Sequence, residues 1–323
     1  GIHLDSTYGL LPEASVRMRD VMLDGDRFGT NLGIGVPYRQ YLFDESPQFQ
    51  WVHGQFGLSY RFPTVARILA PIIETSVAVS DDAREAVSPG SYYVLRTSGF
   101  VDLALLLPPF TFRAGAGVRY SLLFDRTEPD VPDPNVRPEI FRYGLRLTAE
   151  YQFSPEIQRR DLRSSLAMSH FLALDDETRF FYEARFTGQW APHVSSHDFL
   201  IRSDGICLLG DVTVIDEVPL SGDSQRATFG GRYWVRQALT LELAGRFGVW
   251  QDYIKLGIFN DFSIFGDIRD GGNLFAMAEG FGPSIHFLLF EQVAFDLFYA
   301  FGFSGEDFED FDHNLSFSLH LAF

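Results

Sequence analysis

The sequence predicts an all-β fold, a transmembrane antiparallel β-barrel of about sixteen strands. The chain ends in strict alternation of apolar and polar residues, which is the pattern of a strand with one apolar face. Aromatic residues make up 15% of the chain, and barrels use them on the lipid face and in interfacial girdles. No amphipathic helix is predicted near the apolar stripes, whereas lipid covers such a face when the sheet closes on itself.

The final segment shows the clearest alternation. A phenylalanine at the tip of such a strand is typical of bacterial outer-membrane barrels, so we assign this segment as a C-terminal assembly signal and expect an outer-membrane location. Its apolar residues are Leu315, Phe317, Leu319, Leu321 and Phe323.

Alternating segments separated by turn residues recur along the rest of the chain. They lie at 2–8, 14–23, 28–38, 56–62, 68–79, 92–106, 110–124, 141–153, 166–174, 180–190, 199–214, 233–249, 253–265, 274–289 and 293–303. Long polar connections alternate with short ones, as in a barrel with long extracellular loops and short periplasmic turns. No linker interrupts the pattern, so we expect residues 1–323 to form a single barrel domain with both termini on the periplasmic side.

Composition excludes several other classes of protein. A net charge of -17 disfavours nucleic-acid binding, because phosphate contacts need a basic surface. A mean hydropathy of -0.01 and the lack of an apolar run of about eighteen residues exclude a bundle of transmembrane helices. The single cysteine, Cys207, excludes a disulfide framework and a cysteine-based zinc site. We expect no cofactor and no metal. An acidic loop after Phe303 is predicted to be solvated; it contains Glu306, Asp307, Glu309, Asp310 and Asp312.

Candidate catalytic residues are present, but their spacing is wrong for catalysis. Ser196, His197 and Asp198 are consecutive, and consecutive residues of a strand point to opposite faces. His193 and His197 have the spacing of helical metal ligands, but Pro192 disfavours a helix there. The sequence therefore predicts a protein that is not an enzyme.

Two segments go beyond a generic barrel. The first, Leu220 to Thr228, lies in the longest loop, five strands before the C-terminus, and the second, Leu256 to Ser263, lies two strands later. Together they resemble the BamA/TamA-type outer-membrane assembly-factor superfamily, which includes the two-partner-secretion transporters. The resemblance implies that this sixth extracellular loop enters the lumen, where its arginine engages acidic residues of the barrel wall.

The resemblance assigns a loop-pinning cluster in the lumen. Arg226 matches the loop arginine, and Gly222 matches one of the loop glycines. Asp261 and Phe259 match the wall motif, and Glu242 matches the acidic position of the intervening strand.

The sequence also departs from the family pattern. Ala227 and Thr228 replace a glycine and an aromatic residue after the arginine, Gln225 replaces an aliphatic residue before it, and Ser263 replaces the wall glycine. The 323 residues leave no room for the family's periplasmic POTRA domains beside about sixteen strands. The chain is therefore expected to be either a trimmed protein or a barrel-only member.

The loop arginine can be interpreted without the family. An arginine in a partly dehydrated lumen needs carboxylate partners, which its planar guanidinium binds bidentately. We predict that Arg226 pairs with Asp261, Glu242 or both and holds the loop inside. The alternative is an exposed loop arginine without a fixed partner.

Two functions of a barrel remain open. In one, the barrel assists insertion or translocation of outer-membrane proteins through a weak seam between its first and last strands. Its partners would then be the lipid bilayer, lipopolysaccharide, client proteins, and periplasmic or lipoprotein subunits. In the other, it is a passive porin-like channel or a structural barrel that binds partners through its loops. A soluble β-sandwich or propeller is a third interpretation of the same strand pattern.

Overall fold

The computed structural model describes most of the chain as β-strand. The described residues are 2–5, 9–35, 53–83, 91–124, 137–153, 160–173, 179–220, 226, 234–250, 253–266, 275–289, 293–305 and 310–321. Within these ranges, no helix is long and apolar enough to cross a membrane.

The strands alternate with turns along the whole chain. The first nine are β1 (Ile2–Asp5), β2 (Gly9–Arg19), β3 (Arg27–Gly35), β4 (His53–Arg61), β5 (Leu69–Ala83), β6 (Ser91–Leu107), β7 (Phe110–Phe124), β8 (Glu139–Phe153) and β9 (Arg160–Ala173). The others are β10 (Phe180–Val194), β11 (His197–Gly210), β12 (Val218–Pro219), β13 (Trp234–Val235), β14 (Gln237–Trp250), β15 (Ile254–Gly266), β16 (Phe275–Leu289), β17 (Val293–Gly305) and β18 (Asp310–Leu321).

Sixteen of these strands form one closed antiparallel barrel, and β12 and β13 form a separate two-stranded ribbon. Consecutive barrel strands pair with each other along the chain. Strands β12 and β13 are left out of this order, so β11 pairs directly with β14. The barrel closes where β1 meets β18. In the described part of the chain this seam has two paired positions, Ile2 with Leu319 and His3 with Ser318.

The barrel has its apolar side chains outside and many polar ones inside. Strand β15 shows this alternation most clearly. Leu256 and Ile258 are 49% and 65% exposed on the outer face, whereas Asp261 and Ser263 are fully buried on the lumen face. This is the reverse of a soluble sheet on a core, and it suits a surface covered by lipid.

The connections divide between two rims. The short-turn rim carries the connections 20–26, 62–68, 108–109, 154–159, 195–196, 251–253 and 290–292. The long-loop rim carries the others, including the connection from β11 to β14 at residues 211–236. The long connections predicted after Tyr38, Val79, Phe124, Val214 and Phe265 lie on this rim, but so do two short ones, 6–8 and 306–309. Every predicted strand corresponds to one strand of the barrel.

Several predicted boundaries were wrong. The first segment was predicted to reach Tyr8; β1 is Ile2–Asp5, and residues 6–8 lie outside the described ranges. Strand β18 begins at Asp310 rather than Leu315, so Asp310 and Asp312 belong to a strand and not to a solvated loop. The segment predicted at 199–214 is β11, which ends at Gly210 and pairs along its length with both β10 and β14.

Strand β18 carries the proposed assembly signal. Its backbone pairs with β17 from Ser304–Asp310 to Val293–Leu321, which includes Phe317, Leu319 and Leu321. Leu315 is 53% exposed on the outer face. Phe323 lies outside the described residues.

Candidate functional site

The connection 211–236 is here called the lumen loop, and its described residues, 211–220, 226 and 234–236, lie inside the barrel. It begins with a single 3-10 turn at Val214–Asp216 and continues into the ribbon of β12 and β13. The ribbon pairs Val218 with Val235 and Pro219 with Trp234. Val235 and Leu220 are buried with Phe265 and two alanines of β16, so the ribbon packs against the inner wall at β15 and β16.

Arg226 lies between two wall carboxylates. Its Nε donates to Asp261 Oδ2 at 2.8 Å, and its Nη2 donates to Asp261 Oδ1 at 2.5 Å, so the guanidinium binds this carboxylate bidentately. The same Nη2 donates to Glu242 Oε1 at 2.7 Å. The backbone N–H of Arg226 also donates to Asp261 Oδ2 at 3.1 Å. Both side-chain charge and loop backbone are therefore fixed to the wall.

All three charged groups are removed from solvent. Arg226 is 7% exposed, Glu242 7% and Asp261 0%. Breaking a buried ion pair by removing one partner typically costs about 3–5 kcal/mol, because the remaining charge is left without compensation. This argues that the loop is held strongly by the cluster.

The wall strands bring the two carboxylates side by side. Glu242 of β14 is directly paired with Asp261 of β15, so both point into the lumen from adjacent strands. Thr240 and Ser263 are the next lumen-facing pair, and their hydroxyls are hydrogen-bonded at 2.9 Å in a buried position. Ser263, which departs from the family glycine, thus has a polar partner of its own and leaves the Arg226 site intact.

Aromatic rings complete the arginine site. The guanidinium carbon of Arg226 lies 3.9 Å from the ring centroid of Phe259 and 4.9 Å from that of Phe298. A cation over an aromatic face is attracted by the ring quadrupole, and more strongly away from water. Phe259 was assigned from the sequence. Phe298 was not, although its lumen-facing position on β17 follows from counting alternate residues.

The structure thus brings together Arg226, Glu242, Asp261 and Phe259, while Gly222 lies outside the described residues.

A second set of contacts holds the beginning of the lumen loop. Arg142 of β8 donates to Asp216 through Nη1 at 2.5 Å and Nη2 at 2.9 Å, and Nη2 reaches the carbonyl of Asp211 at 3.0 Å. Arg137 binds the Asp211 carboxylate bidentately at 2.8 and 2.7 Å. These residues were not predicted from the sequence, because no local motif distinguishes them from the other arginines and aspartates of the chain.

The rejected catalytic residues lie at the short-turn rim. Ser196 is in the turn between β10 and β11, and the imidazole Nδ1 of His193 contacts the Asp198 carboxylate. Lys255 Nζ donates to Asp198 at 2.6 Å. No group of three or more metal-ligating side chains was found in the described ranges.

The sequence matches no protein-family model, and no curated protein matches it. The fold does match solved structures. One is BamA from Haemophilus ducreyi lacking POTRA domains 1-3, with 11% identity and a TM-score of 0.69 over 99% of this chain and 69% of that one. Another is CdiB from Acinetobacter baumannii, with 11% identity and a TM-score of 0.67 over 99% of this chain and 58% of that one.

CdiB from Escherichia coli is similar as well, with 9% identity and a TM-score of 0.64 over 100% of this chain and 62% of that one. This chain therefore spans less than two thirds of either CdiB. The likeness was anticipated from the loop and wall motifs, and the fold of this chain is that of the BamA and CdiB barrels.

Proposed function

We propose that this chain is an outer-membrane barrel of a Gram-negative bacterium that assists the insertion or translocation of outer-membrane proteins. Client proteins would engage it at the seam between β1 and β18. The likeness in fold to BamA and CdiB supports this class of function. The proposal includes no catalytic step.

The observation that carries the proposal is the shortness of the seam. The described residues of β1 and β18 share two paired positions, whereas β5 and β6 share fifteen. Strand β1 has four residues, and β18 has twelve. Among the described residues, most positions on the β18 edge that faces the seam have no partner on β1.

An exposed strand edge is a template for another strand. In lipid the edge has no water to satisfy its N–H and C=O groups, and each unsatisfied group costs several kcal/mol. Pairing with an incoming strand would satisfy these groups. The free energy of the open edge would thus favour capture of a client strand.

A covalent lock across the seam tests the proposal. His3→Cys with Ser318→Cys places cysteines on directly paired residues, in a Cys207→Ser background. A matched control lock uses Ala294→Cys with His320→Cys, which joins the paired strands β17 and β18 at a similar height. We expect oxidation of the seam pair to stop insertion of a client barrel in reconstituted vesicles, and reduction to restore it.

The control lock should leave insertion unchanged, because β17 and β18 are already paired along their length. Equal insertion by the seam-locked and reduced proteins would exclude the seam mechanism.

A passive channel is the second candidate function, and the lumen supports it. A cavity of about 460 Å³ lies against β2–β6, away from the Arg226 site, and includes Ser15, Arg17, Asn31 and Ser59. Polar side chains around open space are typical of an aqueous passage. Large, steady, ohmic single-channel currents together with unchanged insertion by the seam-locked protein would favour the channel.

A further inference from the structure

The lumen loop contacts the barrel at two places. The tip clamp consists of Arg226 with Glu242 and Asp261. The base clamp consists of two ion pairs, Arg142 with Asp216 and Arg137 with Asp211. The base clamp also joins the loop to the barrel through ion pairs, and the cluster predicted from the sequence does not include it.

The Arg142–Asp216 pair of the base clamp is buried, whereas the side chains of Arg137 and Asp211 are 24% and 19% exposed. The side chains of Arg142 and Asp216 are 3% and 8% exposed. Asp216 also accepts hydrogen bonds from the backbone N–H and the hydroxyl of Thr213, each at 2.8 Å. Arg142 lies over the ring of Phe181, with its guanidinium carbon 4.2 Å from the centroid.

Apolar packing reinforces the base clamp. Ile215, between the clamp residues, is buried in a cluster with Val94, Leu123 and Ile140, which lie on β6, β7 and β8. The carbonyl of Ile215 accepts a hydrogen bond from Arg96 Nη2 of β6 at 2.9 Å. The start of the loop is therefore seated on the wall formed by β6–β8.

The two clamps contact different parts of the barrel wall. The base clamp uses β6–β8, whereas the tip clamp uses β14 and β15, with Phe298 of β17 beside it. Three strands, β9, β10 and β11, separate β8 from β14 around the barrel. Asp216 and Arg226 are therefore held by different parts of the barrel wall.

The charges of the clamps are reversed. At the base clamp the loop supplies the carboxylates, and the arginines come from β8 and from Arg137 just before it, whereas at the tip clamp the wall supplies the carboxylates and the loop supplies the arginine. A loop seated the wrong way round would set Arg226 against Arg142, and Asp216 against Asp261. Like charges held close in a buried site disfavour that arrangement.

We propose that Arg142 and Asp216 are positioning residues that hold the loop base on the β6–β8 wall independently of the Arg226 cluster. Loss of the tip clamp then leaves residues 211–217 seated. This goes beyond the proposed function, because it identifies a second anchorage of the loop and does not depend on the seam.

The test measures the position of the loop base in the full chain. Ile215→Cys and Ile140→Cys, in the Cys207→Ser background, place two thiols in the apolar cluster for a short bismaleimide crosslinker. We expect Arg226→Ala to crosslink within about twofold of the parent rate. Arg142→Gln should crosslink at least about tenfold more slowly, because it leaves Asp216 buried without its cation.

Arg146→Gln is the matched control. Arg146 also points into the lumen from β8, but its partners are Glu74 and Asp102 of the wall, so its loss should not change the crosslinking rate. The charge-exchanged double variant, Arg142→Asp with Asp216→Arg, should recover crosslinking relative to Arg142→Gln. Asp216→Asn removes the charge of the clamp with a smaller change in side-chain shape. For every variant, folded barrel is separated from unfolded protein by its heat-modifiable gel mobility.

Two results would overturn the inference. One is an unchanged rate in both Arg142→Gln and Asp216→Asn, and the other is loss of crosslinking in Arg226→Ala. Because the readout needs no client protein, either result leaves the seam proposal standing. Conversely, a seam lock without effect on insertion leaves the two-clamp inference standing.

Discussion

The wall formed by β14–β17 and the seam between β1 and β18 are held together in opposite ways. Strands β15 and β16 share thirteen paired positions, and the tip clamp adds buried charges and two aromatic rings to this wall. The described seam has two paired positions. Phe298, which lies beside the tip clamp, belongs to β17. This strand is next to β18, which forms one side of the seam.

The comparison teaches that cohesion in this barrel has two separate sources. Backbone pairing depends on strand length, and β1 is short. Side-chain anchorage depends on residues far apart in the sequence, such as Arg226 and Asp261. Strand β15 has both extensive backbone pairing and buried side-chain contacts, whereas the described seam has few backbone pairs. We therefore expect the barrel to open first at the seam.

Removal of the loop arginine should give the largest effect. Arg226→Ala leaves Asp261 and Glu242 buried without their cation, which should lower the free energy of unfolding by about 3–5 kcal/mol. The measurement is denaturant unfolding in detergent micelles, followed by heat-modifiable gel mobility.

Arg17→Ala is the control for this variant. Arg17 is exposed on the lumen side of β2, where a substitution typically changes stability by no more than about 0.5 kcal/mol. Equal free energies of unfolding for the two variants would show that the tip clamp does not stabilise the barrel.

Proline substitutions compare the backbone pairing of the two regions. Ile258→Pro interrupts β15, which is paired along its length with both β14 and β16, and His3→Pro interrupts β1, which has two described pairs with β18. Proline removes a ladder N–H group, and a buried partner left unsatisfied costs about 1–3 kcal/mol. We expect Ile258→Pro to be destabilised more than His3→Pro by about this amount, as measured by urea unfolding in the same micelles. Equal losses would show that β1 is held as firmly as β15.

The sequence was sufficient to predict the barrel because alternation is a local signal. Each strand has to place apolar residues outward, so the sixteen barrel strands could be recognised one at a time. The boundaries were harder to predict. Residues 310–314 are acidic and looked like a loop, but pairing with β17 extends β18 through them.

The candidate site was partly predictable for the same reason. Arg226, Glu242 and Asp261 stand in short motifs, and strand parity places both carboxylates in the lumen. The base clamp carries no such motif. Arg142 and Asp216 are 74 residues apart, and their contact depends on how the loop folds back, which no local pattern encodes.

The smallest expected effect concerns a turn on the seam side of the barrel, at residues 20–26 between β2 and β3. Burial alone would raise the pKa of Asp26, but hydrogen bonds from the Tyr60 hydroxyl and from the backbone N–H groups of Met22, Leu23 and Val21 outweigh it. Together they lower the pKa of Asp26 from 3.8 to about 2. The lowered pKa means that the ionised carboxylate stabilises the turn above pH 3.8, and that this contribution is lost as the pH falls towards 2.

Pepsin cleavage offers a readout for this turn, because Met22 and Leu23 are 78% and 49% exposed apolar residues within it. We expect cleavage between residues 20 and 26 to be slower in the parent than in Asp26→Asn at pH 4, and the difference to shrink as the pH approaches 2. Comparing the two proteins at each pH removes the pH dependence of the protease itself. A constant ratio between pH 4 and pH 2 would mean that the Asp26 carboxylate does not hold the turn. The turn 20–26 would then be held by backbone hydrogen bonds alone. The seam side would differ even more from the wall at β14–β17, which is stabilised by buried charged side chains.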